Sequence, residues 1–492
     1  MFKYSLEITV FISGAVVMMI EIVGSRMMAP YLGTSIIVWT SLIGIILGFL
    51  SLGYWLGGKV ADVRPSYKIF SFIILLASLF VFIMIFIQAP ILSFIQARLS
   101  NIYWGTVFSA LFLFAVPSTL LGMVSPYAAR LKIKNLDRSG EAVGSLYALS
   151  TLGSIVGTFA AGFVLIPFLG TIKILYFLSI SLVVASLLAY SGHFLKFKIA
   201  LIILIVAGSF FPYSQFGDKV IADIDTRYNR ILLEKGRDPE TDKPVLGMNT
   251  DPFGTQSAMF LNDKNKLVFD YLKFFRLADH FKKDLKHSLV IGGAAYSFPR
   301  EYLRRHPDSQ LDVVEIDPQM TQIAKKYFNL RSDPRLNIYH QDGRVFLNNS
   351  DQKYDAVFMD AFTSELSVPY QLTTREAVSD IYEQLKPGGV AMINITSAIT
   401  GEKGKFLRAE YRTYNSVFPQ VHLFPVKSKK QGDKFQNIVM AAIKSEREFD
   451  LQSSDPELDK YLEHKWRKNI KKDVPILTDN YAPVDYYILK KF

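Results

Sequence analysis

Apolar residues run almost unbroken through the first 212 positions and alternate with polar ones thereafter. Runs of the roughly 20 residues needed to cross a bilayer recur near 5–28, 35–57, 69–89, 104–125, 142–166 and 171–191, with a shorter seventh at 197–212. The pattern predicts a bundle of six or seven transmembrane helices. Gly44, Gly48, Gly53 and Gly57, and then Gly144, Gly153, Gly157 and Gly162, repeat at short steps that allow close helix contact in lipid. The first run carries Glu21 and Arg26 and no small-residue cleavage site follows, so it is expected to be retained rather than removed as a signal.

Beyond Pro212 the hydropathy drops and the period changes. Short strands are predicted at Arg230 to Glu234, Ser257 to Leu261 and Leu267 to Tyr271, punctuated by turn residues, giving a small β-sheet. From 286 strand and helix patterns alternate: 288–292, helix 298–306, 311–315, helix 318–328, 336–340, helix 343–349, 354–359, helix 374–386, 389–395, helix 403–418, then strands near 420–426 and 436–443. Such alternation predicts an α/β fold with a parallel, doubly wound (Rossmann-type) sheet. The expected divisions are 1–212 for the helical domain, 213–285 for the β-subdomain and 286–492 for the α/β domain.

Charge refines the picture. Residues 1–212 hold 13 Lys and Arg against 5 Asp and Glu, so most of the net charge of +11 belongs to the apolar half. That argues against a nucleic-acid surface and for the positive-inside rule. Connections after the second run (Lys59, Arg64, Lys68), the fourth (Arg130, Lys132, Lys134, Arg138) and the sixth (Lys196, Lys198) are basic, which places them and the N-terminus in the cytoplasm. The segment GYWLGGKVADVRPSYK also resembles the cytoplasmic loop between the second and third helices of major-facilitator transporters. Seven crossings would leave the α/β half outside, and six would leave it in the cytoplasm, where it is expected. Glu21 and Arg26 should face the bundle interior, either paired with a neighbouring helix or lining a polar cavity. With no cysteine, disulfides, thiolate metal sites and a cysteine nucleophile are excluded.

The stretch SLVIGGAAYSFPREYLRRHPDSQLDVVEID holds the first chemistry. Its first strand runs into Gly292-Gly293, and Glu315 ends the next strand 23 residues after Gly292. A tight glycine turn with an acid about 20 residues on suits a nucleoside, the carboxylate accepting from ribose hydroxyls. In doubly wound sheets ligands sit beyond the carboxyl ends of the strands, and those ends carry Gly292-Gly293, Glu315, Asp342-Gly343, Asp360 and Asn394. Taken alone, Asp342 reads equally as an N-cap of the helix that begins at Gly343.

The series LVIGG, VVEIDP, QDGRVFL, YDAVFMDAF and LKPGGV resembles the class I methyltransferase-fold domain of the spermidine synthase (polyamine aminopropyltransferase) family. EIVGSRMMAPYLGTSIIVWTSLIGIILG, VPYQLTTREA and TDNYAPVDYY resemble the membrane-fused bacterial branch. The resemblance implies a multi-pass inner-membrane transferase that moves a group from an S-adenosyl sulfonium donor to a small-molecule amine and releases methylthioadenosine, without a metal. It implies that Gly292, Gly293, Glu315, Ile316, Asp342 and Gly343 hold the donor, with Glu315 on the ribose and Asp342 at the adenine amino group. Asp360 takes the catalytic aspartate position, and Gln256, Tyr271 and Thr363 the substrate pockets. Positioning and a nearby carboxylate suffice for displacement on a sulfonium.

Two departures affect the substrate. Where the family turn reads GGGDGG, this chain has Ala295 at the aspartate position, and Thr363 stands for the second aspartate of DSxDP. The donor is therefore either decarboxylated S-adenosylmethionine or S-adenosylmethionine itself, the latter opening methyl transfer or another displacement. A transporter with a nucleoside-sensing domain is a third reading, and a homodimer is left open. The C-terminal TDNYAPVDYY is expected either to close over the site or to cap the sheet edge. The basic runs Lys427–Lys434 and Lys465–Lys472 read as solvated faces or surfaces near anionic lipid.

Overall fold

The computed structural model describes residues 4–99, 101–133, 139–192, 194–210, 220–250, 254–361 and 368–489. It contains two compact units, Met1–Gly217 with Asp223–Arg230, and Asp218–Ala222 with Ile231–Phe492. The expected division at 212/213 lies outside the described residues, as does Thr363.

The first unit is helical. Its elements are α1 (Ser5–Leu32), α2 (Ile36–Val63), α3 (Tyr67–Arg98), α4 (Ile102–Gly122), α5 (Val124–Lys132), α6 (Ser139–Phe159), α7 (Ile166–Leu169), α8 (Thr171–Ala189) and α9 (Leu195–Ser209), with a π-helical turn at Ala160–Leu165 joining α6 to α7. Among the described residues six stretches are long and apolar enough to cross a membrane: α1, α2, α3, α4 with α5, α6 with α7, and α8. The seventh run forms α9, whose 15 residues span only about 22 Å at helical rise.

Half of the glycines expected at helix contacts are there. A Cβ on Gly53 or Gly57 would collide with the backbone of Thr119 or Met123, and one on Gly153 or Gly157 with that of Phe11 or Ala15. Gly44, Gly48, Gly144 and Gly162 instead face open space. Hydroxyl pairs join α3 to α8, Ser71 to Ser186 at 2.9 Å and Ser78 to Ser179 at 3.0 Å. Arg26 reaches backbone acceptors outside the long helices. Its guanidinium donates to the carbonyl oxygens of Thr226, at 2.6 Å, and Arg227, backbone acceptors that hydropathy could not reveal.

Next along the chain comes a sheet ordered β1 (Val220–Asp225), β2 (Arg230–Arg237), β3 (Pro244–Asn249) and β4 (Ser257–Phe260). The strand expected at 267–271 is absent. Leu267 makes one isolated bridge to Met259, and the chain then turns into α10 (Asp270–Phe274) and α11 (Leu277–Phe281). The apolar-rich VFDYLKFF fits either period over so short a window, and burial of Leu272, Phe274 and Phe275 against the α/β core settles it as helix.

The main sheet has seven strands: β5 (His287–Ile291), β6 (Gln310–Val314), β7 (Leu336–Tyr339), β8 (Tyr354–Met359), β9 (Leu385–Ser397), β10 (Gln420–Pro425) and β11 (Gln436–Ile443), in the order β10-β11-β9-β8-β5-β6-β7. Five are parallel, but β11 runs antiparallel to both β9 and β10. The sheet is thus mixed at one edge rather than wholly parallel. β10 and β11 follow each other without a crossover helix, and such neighbours pair antiparallel. The helices of this unit are α12 (Ser297–Arg305), α13 (Pro318–Tyr327), α14 (Gly343–Asn349), α15 (Arg375–Gln384), α16 (Lys405–Asn415), α17 (Pro456–Leu462) and α18 (Val484–Leu489). Strand β8 is buried along its whole length, as a central strand covered on both faces must be.

Candidate active site

Strand order reverses between β5 and β8, the first strand being flanked by β6 on one side and β8 on the other. Here the chain leaving β5 meets the chain leaving β8: Asp360 donates its N–H to Ile291 O at 2.9 Å, and Gly292 donates to Val314 O at 2.9 Å. Gly292 has φ +98°, and a Cβ on it would lie 2.6 Å from Asp360 O. Only glycine meets both demands. Ala294 and Tyr296 also take left-handed φ, 44° and 55°. The two reversals swing Ala294 outward and bury Ala295 completely.

A cavity of about 370 Å³ opens beside this crossing, within the range of small-molecule sites. Asp360 lies on its wall. The Tyr271 hydroxyl donates to Asp360 Oδ2 at 3.1 Å, and the Asn394 amide donates to Oδ1 at 3.1 Å. Asn437 Nδ2 in turn donates to Asn394 Oδ1 at 3.0 Å and to Thr396 Oγ1 at 3.1 Å. The antiparallel register of β9 and β11 sets Asn437 opposite Thr396. Burial pushes the Asp360 carboxyl up to about 6, against the pull of the two donated hydrogen bonds. Burial, and then the nearby Asp360, raise the Tyr271 phenol well above its ordinary value, so it remains a donor.

Gln256 and Tyr271 line the same cavity, together with Ala294, Asn394, Val368 and Ile488. Its mouth carries Asp238, Glu240, Asp270 and Lys427, with Lys427 3.4 Å from Glu240. Thus Lys427 belongs to the rim as well as to a solvated run. Thr396, Asn437, Asp238 and Glu240 escaped the sequence reading. Asn437 had one visible signal, an amide in the otherwise apolar strand QNIVMAAI.

The acids expected on the nucleoside do not line this cavity. Glu315 is buried; Oε2 accepts from Gly293 N at 2.9 Å and Ala294 N at 3.0 Å, and Oε1 from Asp317 N at 3.0 Å. Burial raises its carboxyl, and the three N–H donors oppose the rise. Asp342 caps α14, Oδ1 accepting from Arg344 N at 2.8 Å and Val345 N at 3.1 Å. Ile316 is half-buried, and Gly343 packs so tightly that a Cβ would fall 2.8 Å from Ile291 Cγ2.

The C-terminal segment is tied to helix starts, and the residue that follows it reaches the cavity. Asp479 accepts from Thr374 Oγ1 at 2.6 Å and pairs with Arg344 at 3.1 Å, holding the segment to the starts of α15 and α14. Ile488 on α18 forms part of the cavity wall.

Residues 274–426 match the family described as spermine/spermidine synthase domain. The chain carries a spermine/spermidine synthase domain. That domain places it among transferases. It is 26% identical over 237 residues to the polyamine aminopropyltransferase of Vibrio vulnificus (strain CMCP6), covering 45% of this chain and 76% of that one. It is 28% identical over 265 residues to a probable polyamine aminopropyl transferase of Bifidobacterium longum (strain NCC 2705), covering 50% and 58%. Among solved structures, a probable spermidine synthase from Corynebacterium glutamicum ATCC 13032 aligns with TM-score 0.39 at 20% identity, over 46% of this chain and 81% of that one.

Proposed function

We propose that this chain is a membrane-anchored aminopropyltransferase-like enzyme, joining a group from an S-adenosyl sulfonium donor to an amine with Asp360 as the acceptor of the amine's proton. The observation that carries the reading is Asp360 itself: a partly buried carboxyl on a cavity wall, oriented by Tyr271 and Asn394, with its pKa raised to about 6. An attacking amine must be neutral, and a carboxylate near neutrality both draws in the ammonium form and takes its proton. As the C–N bond forms and the C–S bond breaks, the sulfonium leaves as a neutral thioether and the nitrogen's proton passes to Asp360. Asp238, Glu240 and Asp270 line the same cavity against one Lys427, and an acidic wall favours a cationic acceptor.

Donor binding falls in this reading to Gly292, Gly293, Glu315, Ile316, Asp342 and Gly343. Glu315 Oε2 already accepts two loop N–H groups and Oε1 one, so Oε1 retains an acceptor site and the group that fixes the glycine turn is also available to a ribose hydroxyl. Gln256, Tyr271 and Thr363 complete the acceptor side. The domain division at 212 and 285 goes with this reading, the β-subdomain supplying Gln256 and the α/β domain the donor loop.

A second reading, with S-adenosylmethionine itself as donor, is favoured by one observation: the turn presents Ala294 to the cavity and buries Ala295, so it offers no carboxylate to grip a donor ammonium or repel a donor carboxylate. Calorimetry of the full chain with each donor separates the two. Tighter binding of the decarboxylated donor supports aminopropyl transfer, and tighter binding of S-adenosylmethionine supports the second reading.

Anchoring is supported by the six long apolar helices and by the basic connections that follow every second one. With α9 too short to cross, six crossings leave the catalytic half on the side of the N-terminus, in the cytoplasm where nucleoside donors are made.

A further inference from the structure

The helical unit contains a groove of about 360 Å³ whose walls are almost wholly apolar, among them Ile69, Phe72, Leu75 and Phe194. Phe72 and Phe194 face each other with ring centroids 6.3 Å apart. Two cations stand in it, Lys68 in the first turn of α3 and Lys198 in the first turn of α9. Lys198 is only 1% exposed. Its ammonium donates to Ser71 Oγ at 2.5 Å, Ser186 O at 3.0 Å and Tyr190 O at 2.8 Å.

All three acceptors are neutral. The ion pairs among the long helices in the described residues, Arg130 with Asp62 and Lys132 with Glu7, involve neither Lys68 nor Lys198. The unit therefore holds a buried positive charge whose hydrogen bonds are made but whose charge is not balanced, a costly arrangement in an apolar setting. A second cation beside it adds repulsion unless an anion sits between them. We propose that this groove binds an anionic phospholipid, its phosphate drawn by Lys68 and Lys198 and an acyl chain lying along Phe72, Leu75 and Phe194.

The position fits the source of such a ligand. Lys68 follows the connection between α2 and α3 and Lys198 the connection between α8 and α9, both basic and both cytoplasmic by the charge rule. The cytoplasmic leaflet is where anionic lipid concentrates, and basic pockets between membrane helices on that side take lipid headgroups. A lysine that merely extends along apolar surface would place its ammonium in water. Lys198 does the reverse.

The proposal rests on the helical half being embedded in a bilayer, and its test separates the two. Flotation of the full chain with vesicles reports embedding. Native mass spectrometry of the detergent-solubilised chain, offered phosphatidylglycerol or phosphatidylcholine, reports the groove. Two juxtamembrane cations should give phosphatidylglycerol an advantage of about tenfold or more. Lys68→Gln, at an exposed position, should reduce that advantage several-fold while flotation and transferase activity stay at wild-type levels, and Lys198→Met should reduce it further. Equal retention of the two lipids, or an unchanged preference in both variants, would overturn the groove while leaving anchoring intact. Displacement of the lipid by inorganic phosphate alone would also overturn it, marking a site for free anions. Failure of the wild type to float would overturn both readings.

Discussion

The two sides of the switch point carry acids that look alike in sequence and differ in what they do. On the β6–β7 side, Glu315 and Asp342 are tied to backbone: Glu315 holds three N–H groups of the turn and the following loop, and Asp342 holds two at the start of α14. On the β8–β9 side, among the described residues, Asp360 accepts only from side chains, Tyr271 and Asn394, and lies on a cavity wall. Backbone donors fix a carboxylate as part of the framework. Side-chain donors orient it and leave it able to exchange a proton. The first kind shapes a site, and the second is suited to chemistry.

Substitutions should separate the two kinds. Asp360→Asn, which preserves size and removes the base, is expected to lower turnover by about 10²–10⁴-fold, the range for a lost general base, with the thermal midpoint unchanged or raised. Comparable activity in this variant would remove the distinction. Glu315→Ala leaves three N–H groups without their acceptor. At about 1–3 kcal/mol per unmet buried group, a loss of at least about 3 kcal/mol of stability is expected, with weaker donor binding; denaturant melts and donor titration would show both.

Smaller effects sharpen the comparison. Asn394 and Tyr271 stabilise the ionised form of Asp360, so Asn394→Ala or Tyr271→Phe should raise its pKa further. The acidic limb of the pH–rate profile, expected near 6 in the wild type, should then move to higher pH; a shift to lower pH would contradict the assignment. Asp342→Ala should cost about 1 kcal/mol, as for any helix N-cap, with turnover changing far less than for Asp360→Asn.

Much of this was legible in the chain. Strands buried on both faces give unbroken apolar runs, so β5, β6, β8 and β9 and the helices between them could be marked from sequence, and their ends delivered Gly292, Glu315, Asp342, Asp360 and Asn394 together. What pairing decides was not legible. The insertion of β11 between β9 and β10 depends on contacts far apart in the chain, and with it came Asn437 and Thr396. Nor could the sequence show that Ala294, rather than Ala295, reaches the cavity. That follows from left-handed φ at two non-glycine residues, which sequence pattern does not announce. The pattern around Tyr271 reads as a strand instead of α10, because a five-residue helix is shorter than any period can establish.

The central claim is that Asp360 serves amine alkylation by a sulfonium donor. It is tested most directly by incubating the full chain and its Asp360→Asn variant with decarboxylated S-adenosylmethionine and a panel of amines, and identifying both products by mass. The account predicts methylthioadenosine together with an aminopropylated amine from the wild type, and about 10²–10⁴-fold less of each from the variant. Absence of these products, or equal product from the two proteins, would contradict it.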